Sequence, residues 1–333
     1  MALLRGAALR DRPHGVDDRE LADALARQWD LHVDALVYEP KGAGSYHWTA
    51  RTNGGGRYFV TVDDLDSKPW LGHDRASTFE GLRDAFATAR ALHDDQALAF
   101  VAAPLRGGDG TALVRLSSRY SIAVFPFIDG RVGEFGQGMA PADWRQLVGL
   151  LADLHRAHAA SVPVRRQGAE LAGRPLLQSA LDALDQAWDL NPLAPRARDL
   201  LAAHAGTVDA WLTSYDDFSA LVAARDNELV VTHGEPHAAN LMVVDDHLVL
   251  IDWDTVGLAV PERDLWMLAG ASEDALVLYT EITGRSVDLD AIELYRLTWT
   301  LADLAAYIPV VRSNTRVTAD VEKAWSAINT YLH

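Results

Sequence analysis

The chain has 333 residues, of which 49% are hydrophobic and 23% are charged, a balance typical of a folded protein with one large or two modest domains. It carries 30 Lys and Arg against 47 Asp and Glu, and the resulting net charge of −17 argues against a protein that coats nucleic acid or an anionic membrane. It contains no cysteine, which excludes disulfides, thiolate metal sites and a cysteine nucleophile.

The amino-terminal segment gives no sign of export. Its apolar stretch is interrupted by Arg5 and is shorter than the apolar core of a signal peptide. The chain has no run of 18 apolar residues, so no membrane-spanning helix is predicted. We therefore expect a cytoplasmic protein that binds neither membranes nor nucleic acid.

The first 130 residues alternate strand-like segments with helices. A helix is predicted over 17–29, where Leu21, Leu25 and Trp29 recur every four residues. A second helix is predicted to open at Ser77, because Ser77 and Glu80 have the spacing of a capping box. Strands are predicted over 36–38, 46–50, 58–62, 99–102, 112–116 and 120–128.

The remainder of the chain is mostly helical. Helices are predicted over 143–158, within 175–224 and over 289–308, with a β segment at 229–252. Within the last helix, Trp299 and Asp303 lie four residues apart and outside its leucine stripe, so they are candidates for a substrate pocket. A small strand-rich lobe followed by a larger helical lobe places the expected ligand in the cleft between them.

The β segment carries the most informative pattern. Two apolar runs flank a polar turn, and a turn centred on Asp246 would place Asn240 opposite Asp252 at the foot of a hairpin. Opposed residues share a face with Cβ atoms roughly 5 Å apart, so an amide and a carboxylate would meet. Such oxygen ligands suit Mg²⁺, which completes its shell with water and phosphate oxygens. The alternative is a polar hairpin with an incidental Asn/Asp pair.

Glu235 enters the hairpin five residues before Asn240. A carboxylate at this point can accept a proton from a substrate hydroxyl, or orient that hydroxyl for attack on a phosphoryl group. The segment therefore predicts phosphoryl-transfer chemistry.

The motifs His233-Gly234-Glu235, Asn240, Ile251-Asp252-Trp253-Asp254 and Arg263-Asp264-Leu265 resemble the signature of the aminoglycoside phosphotransferase family, which is related to choline kinases and protein kinases. The spectinomycin-phosphotransferase-like branch is the most similar. The resemblance implies an α+β, bilobal protein-kinase-like fold. Residues 1–128 would form a small antiparallel-sheet lobe that binds nucleotide, and 129–333 a larger helical lobe with the catalytic loop and substrate pocket.

The resemblance also implies roles for single residues. Glu235 takes the catalytic position and Asn240 and Asp252 hold Mg²⁺, while His233 and Asp264 fix the catalytic loop. Pro126, Phe127 and Ile128 would offer backbone groups to the base of ATP or GTP. The implied activity is Mg²⁺-dependent phosphoryl transfer to a hydroxyl of a small, cationic molecule.

Two positions depart from the family pattern. The family has Asp where this chain has Glu235, and a Lys on the third strand where this chain has Thr61. Three cations are candidate substitutes for that lysine: Lys41, Arg75 and Arg83. Lys41 precedes a loop of Gly42, Gly44 and Ser45, which is either a phosphate-binding loop or a plain turn.

Several alternatives remain open. Asp254 either faces a cationic substrate or makes a surface hydrogen bond. Because the strand lysine is missing, the chain could be a catalytically impaired relative that binds nucleotide or metabolite as a sensor or sequestering protein. Transfer of a nucleotidyl group, with the nucleotide reversed, is a third possibility.

Overall fold

The computed structural model describes residues 12–40, 45–134, 136–167, 171–225, 228–270 and 273–333. Strands dominate its first third and helices the rest, with short strands inserted among those helices. This arrangement confirms the predicted α+β class, with a small antiparallel-sheet lobe and a larger helical lobe. In the described part of the chain, no helix has the length and apolar character that a membrane span requires.

The small lobe is built on a five-stranded antiparallel sheet of order β1-β2-β3-β5-β4. Its core lies between the sheet and α1, where Leu21 and Leu25 pack against Trp48, Val60 and Ile122. The elements of this lobe are α1 (Asp18–Trp29), β1 (Val33–Glu39), β2 (Ser45–Thr52), β3 (Arg57–Asp64), α2 (Arg75–Asp94), β4 (Val114–Arg115) and β5 (Tyr120–Pro126).

Helix α2 begins three residues earlier than the sequence pattern predicts. Its N-cap is Asp74, which accepts from the backbone of Ser77, while the Ser77 hydroxyl interacts with the Asp74 backbone in return. The predicted capping box of Ser77 and Glu80 is therefore wrong, since Ser77 is the third residue of the helix. Asp at the N-cap is at least as favourable as Ser, so the earlier start prevails. Glu80 instead forms an ion pair with Arg83.

The buried face of α2 packs against two different cores along its length. Leu82 and Phe86 pack against the sheet, next to Ala123. Ala89 and Leu92 belong to a second core, which also contains residues of α3 and of the hairpin in the large lobe. Helix α2 therefore joins the two lobes through apolar contacts.

The large lobe surrounds the long helix α9, which packs against α4, α6, α7 and α10. Its short strands form a three-stranded sheet of order β6-β8-β9 and the pair β7-β10. The elements are β6 (Arg131–Val132), α3 (Pro141–His155), α4 (Arg174–Leu181), α5 (Ala194–Ala203), α6 (Ala205–Ala223), β7 (Val230–Thr232), β8 (Leu241–Val244), β9 (His247–Leu250), β10 (Gly257–Ala259), α7 (Glu262–Ala269), α8 (Glu273–Thr283), α9 (Leu289–Ser313) and α10 (Ala319–Tyr331).

Candidate active site

Asp264, in the first turn of α7, binds the loop that follows β7. Its Oδ1 accepts from the backbone N–H of Gly234 at 2.6 Å, and its Oδ2 accepts from that of His233 at 2.9 Å. His155 of α3 donates to the same Oδ2 at 3.1 Å and interacts with the Tyr279 hydroxyl at 2.8 Å. Burial alone would raise the pKa of Asp264, but the hydrogen bond and charge of His155, together with the charge of Arg263, help to lower that pKa below its usual value. Asp264 is therefore a buried carboxylate that fixes the backbone of the loop.

Gly234 allows the loop to turn at this point. Its φ of +98° lies in the region that side chains rarely adopt, and an added Cβ would lie 2.4 Å from the guanidinium of Arg263. Arg263 donates to the Thr232 hydroxyl and to the Thr255 carbonyl. The space that Gly234 leaves open is therefore filled by a buried arginine.

His233 connects the loop to the end of the hairpin. Its Nε2 lies 3.0 Å from the carbonyl oxygen of Ile251, and its Nδ1 accepts from the backbone N–H of Glu235. These two contacts fix a neutral imidazole with its proton on Nε2. The ring also packs edge-on against Trp253 at 4.8 Å. His233 thus sets the position of Glu235 relative to the residues that follow β9.

Glu235 is only 1% exposed, yet it forms part of the wall of a cavity of about 730 Å³ that is lined mainly by the large lobe. His237 Nε2 lies 3.8 Å from Glu235 Oε2. The backbone of the loop is fixed on both sides of Glu235, because its carbonyl accepts from His237 N and from Asn240 Nδ2. A buried carboxylate with a fixed backbone at a cavity wall can accept a proton from a bound hydroxyl.

The hairpin has a different register from the predicted one. Val244 pairs with His247 and Leu241 with Leu250, so the turn consists of two residues, Asp245 and Asp246, both with positive φ. Asn240 therefore lies opposite Ile251, whose N–H donates to its carbonyl at 3.0 Å. The prediction that Asn240 faces Asp252 across the hairpin was wrong by one residue, a shift that would normally place Asp252 on the opposite face.

A local backbone change follows β9 and reorients the chain. Asp252 has φ 64° and ψ 66°, so it lies in the left-handed region rather than in an extended strand. Its side chain is exposed, while the flanking Trp253 and Asp254 are buried. Asp252 thus directly follows Ile251, the residue opposite Asn240, and is not itself paired with Asn240.

Asn240 and Asp252 each carry a side-chain oxygen near the foot of the hairpin, and oxygen ligands are the kind that Mg²⁺ prefers. The Asn240 amide nitrogen donates to the Glu235 carbonyl at 2.9 Å, so the amide oxygen is the group available to a cation. Among the described residues, no three acidic or histidine side chains form a cluster that could hold a metal by themselves. Two protein oxygens with substrate phosphates are the arrangement that Mg²⁺ favours.

Lys68, which follows β3, is a site residue that sequence reasoning missed. Its side chain is 2% exposed, and its Nζ lies 2.7 Å from Asp254 Oδ2 and 3.1 Å from Asp63 Oδ1. Burial alone would lower the pKa of this ammonium, but Asp254, Asp63 and Asp252 raise it instead. The sequence contained one indication of this residue: the acidic chain has only three lysines, and Lys68 is one of them.

The predicted phosphate loop lies mostly outside the described residues, since Lys41, Gly42 and Gly44 are not described. Ser45 opens β2 and donates to Asp63 Oδ1 at 2.6 Å. Thr61, at the strand-lysine position, is buried and pairs with His47 of β2. Thr61 and Asp63 share a face of β3, because they are two residues apart. That face carries the ion pair with Lys68.

His47 lies beside this face of β3, and its burial should make the stability of the fold sensitive to acid. Burial lowers the pKa of His47 to about 4, with Asp63 opposing the shift and Lys68 adding to it. Between pH 6.5 and pH 4 the unfolded chain therefore binds more protons at this residue than the folded chain. Because of this difference, we expect the free energy of unfolding to fall as the pH drops through that window.

The measurement that checks this prediction is urea unfolding between pH 7 and pH 4. His47→Gln should lose free energy of unfolding less steeply than wild type as the pH falls. His247→Gln, at an exposed residue of the hairpin, should follow the wild-type slope. Equal slopes for wild type and His47→Gln would show that His47 does not cause the acid sensitivity.

The other predicted cations of the small lobe lie in exposed ion pairs. Arg75 binds both carboxylate oxygens of Asp66, and Arg83 pairs with Glu80.

The predicted adenine-binding segment leaves the sheet at the end of β5. Pro126 is the last residue of the strand, and Ile128, two residues farther on, is half-buried. The Phe127 N–H donates to the Arg57 carbonyl, and the Arg57 guanidinium lies 3.7 Å from the centre of the Phe127 ring.

Aromatic side chains line the cavity beside Glu235. They include Trp70 from the small lobe and Trp266, Tyr295 and Trp299 from the large lobe. The rings of Trp266 and Trp299 are 5.6 Å apart, and the Trp299 indole N–H donates to the Tyr331 hydroxyl. Among the predicted substrate residues, the structure thus brings Trp299 to the cavity.

Asp303 and Asp254 lie elsewhere. Asp303 is buried and accepts from the Tyr331 hydroxyl, and Asp254 is held by Lys68. Neither of them is among the described residues that line the cavity.

Comparisons with known proteins place this site in context. Residues 39–307 match the sequence profile described as "Phosphotransferase enzyme family". Protein StrN of Streptomyces griseus is 27% identical over 252 residues, which cover 70% of this chain and 72% of that protein.

Two solved structures show the same fold. Spectinomycin phosphotransferase APH(9)-Ia, in complex with ADP and spectinomycin, is 18% identical, with 95% of each chain covered and a TM-score of 0.75. Amicoumacin kinase hAmiN, in complex with AMP-PNP, Ca²⁺ and Ami, is 12% identical, with 95% of this chain and 93% of that chain covered and a TM-score of 0.53.

Proposed function

The chain belongs to the phosphotransferase enzyme family, and from this premise we propose that it transfers the γ-phosphoryl group of ATP or GTP to a hydroxyl of a small, cationic molecule. The observation that carries the proposal is the loop held by Asp264, which fixes Glu235 at the wall of an aromatic cavity, five residues before Asn240. The proposed proton acceptor, Glu235, and the proposed metal ligands, Asn240 and Asp252, thereby belong to the single segment 235–252.

Each residue has a chemical task in the proposed reaction. Glu235 accepts the proton of the acceptor hydroxyl as its oxygen attacks the phosphoryl group. Asn240 and Asp252 would hold Mg²⁺, which neutralises charge on the phosphate oxygens when it is bound. His233 and Asp264 keep the backbone of the loop in place. Catalysis of this type depends on positioning and charge, which a fixed loop provides.

In the proposed function, each lobe binds a different substrate. Residues 1–128 would bind the nucleotide, with Ser45, Thr61 and the 126–128 segment on that side, and 129–333 would bind the acceptor. The nucleotides in the two solved relatives support nucleotide use. The aromatic wall beside Glu235 supports a cationic acceptor, because aromatic faces attract ammonium groups.

One observation favours a second candidate, a nucleotide-binding sensor without turnover. Thr61 occupies the position where a lysine would meet the nucleotide phosphates, and the described Arg75 and Arg83 lie in exposed ion pairs. A sensor would bind nucleotide but form no product, so the two functions separate in one pair of assays.

We expect the purified chain to be stabilised by Mg²⁺ with ATP or GTP, by about 2.7 kcal/mol at 100 times the dissociation constant. We also expect mass spectrometry to find a product heavier by one phosphoryl group in a panel of aminoglycosides, aminocyclitols and small metabolic alcohols. Glu235→Gln protein, purified in parallel, excludes a contaminating kinase. Stabilisation without any product would favour the sensor, and no stabilisation by either nucleotide would contradict both candidates.

A further inference from the structure

Lys68 and two buried carboxylates form an ion cluster between the lobes, and a third, exposed carboxylate lies near it. Asp63 comes from β3 of the small lobe, whereas Asp252 and Asp254 follow β9 of the large lobe. Lys68 Nζ contacts Asp63 and Asp254, all three side chains are nearly inaccessible, and Asp252 lies close enough to act on the charge of Lys68. This ion bridge is separate from the loop that carries Glu235.

The charges of the cluster do not balance. Three carboxylates and one ammonium sum to −3 + 1 = −2, which is the charge that one divalent cation neutralises. Asp63 Oδ2 is buried and has no hydrogen-bond partner among the described residues. A net negative charge attracts cations, and the member of the cluster that a cation can reach from solvent is Asp252.

Asp252 depends on its neighbours for its position. A left-handed backbone is unfavourable for a residue with a side chain, so it persists only where the surrounding chain fixes it. Before Asp252 in the chain, the backbone is held by the hydrogen bond from Ile251 N–H to the Asn240 carbonyl. After Asp252, it is held at Asp254, whose carboxylate lies 2.7 Å from Lys68 Nζ. The contact between Lys68 and Asp254 is thus one of the bonds that hold the turn presenting Asp252, together with the Trp253 indole N–H, which donates to the Leu250 carbonyl.

We propose that Lys68 is a positioning residue for the divalent cation: by holding Asp254 against Asp63, it keeps Asp252 beside Asn240. Lys68 does not contact the metal itself and acts through Asp254. The inference rests on the proposed function, because it assigns the cation to the nucleotide site. It adds a residue from the small lobe to a metal site whose ligands all lie in the large lobe.

The test measures the dissociation constant of ADP with and without Mg²⁺ for the full chain, by titration calorimetry. The ratio of the two constants reports the coupling between metal and nucleotide. Because both constants come from one preparation, a partly unfolded sample alters them equally and leaves the ratio unchanged. A merely structural role of Lys68 would therefore lower stability without changing the ratio.

In Lys68→Met we expect the ratio to fall by about tenfold to hundredfold, the loss typical of removing a partner that orients a metal ligand. Lys68→Arg keeps the positive charge, so its ratio should lie between those of Lys68→Met and wild type. Lys323→Met, the same substitution at an exposed lysine of α10, should keep the wild-type ratio. Asp254→Asn keeps the size of the side chain and should also lower the ratio, so it provides the answer should Lys68→Met fail to fold.

An unchanged ratio in the variant that folds, with normal coupling in wild type, would overturn the role of Lys68 alone. If wild type itself bound ADP without any effect of Mg²⁺, or did not bind ADP, the proposed function would fail together with it.

Discussion

Replacing Glu235 by Gln should lower kcat by about 10²- to 10⁴-fold, the contribution typical of a general base, while Mg²⁺–nucleotide affinity stays close to that of wild type. Glutamine keeps the size of the side chain but cannot take the proton of the acceptor hydroxyl. The backbone contacts of this residue, to His233, His237 and Asn240, are unaffected by the exchange. The loss should therefore appear in turnover rather than in folding or nucleotide binding.

Glu235→Asp provides a sharper version of this experiment, because it keeps the charge and withdraws the carboxylate by roughly 1.5 Å. A displacement of that size can cost about 100-fold in rate. The matched control is Glu281→Gln, at an exposed residue of α8, which should have wild-type kcat. A wild-type kcat in Glu235→Gln would show that another group accepts the proton.

The second large effect is expected for Asp264→Asn. The carboxylate accepts from two backbone N–H groups and from His155, and an amide has only one oxygen to replace them. Buried donors are then left without an acceptor, so the free energy of unfolding should fall by about 2–4 kcal/mol. The loop should also shift, and kcat should fall by about 100-fold at a temperature where the variant is fully folded.

Urea unfolding and steady-state kinetics measure these two losses separately. Asp23→Asn, at an exposed position of α1, is the control for loss of one carboxylate charge and should match wild type in both assays. If Asp264→Asn were less stable but had wild-type turnover at a temperature where it is folded, Asp264 would support the fold without positioning the loop.

Local patterns predicted much of the fold. Helix α1 and strand β3 were predicted to within two residues, because periodic burial of residues such as Leu21 and Leu25 determines their structure. The start of α2 was placed too late, since two overlapping capping patterns compete there and only tertiary structure decides between them. The family resemblance, drawn from the motifs around Glu235 and Asp264, is confirmed by the match over 39–307.

The parts of the site that sequence reasoning missed depend on single backbone angles and on long-range pairs. The register of the hairpin depends on how many residues form its turn. Asp245 and Asp246 alone form it, and both adopt the positive φ that a two-residue turn requires. The contact between Lys68 and Asp254 joins residues 186 positions apart, so no local pattern could reveal it. The site roles of the individual residues stay predictions until the variants are measured.

The packing of α2 against two cores has a consequence for how the proposed nucleotide would enter. A wide swing of one lobe away from the other would expose either Leu82 and Phe86, which pack against the small-lobe sheet, or Ala89 and Leu92, which pack in the core of the large lobe. Either exposure carries a large hydrophobic penalty. Exchange of the proposed nucleotide should accordingly rely on local loop rearrangements around an almost rigid frame instead of on domain opening.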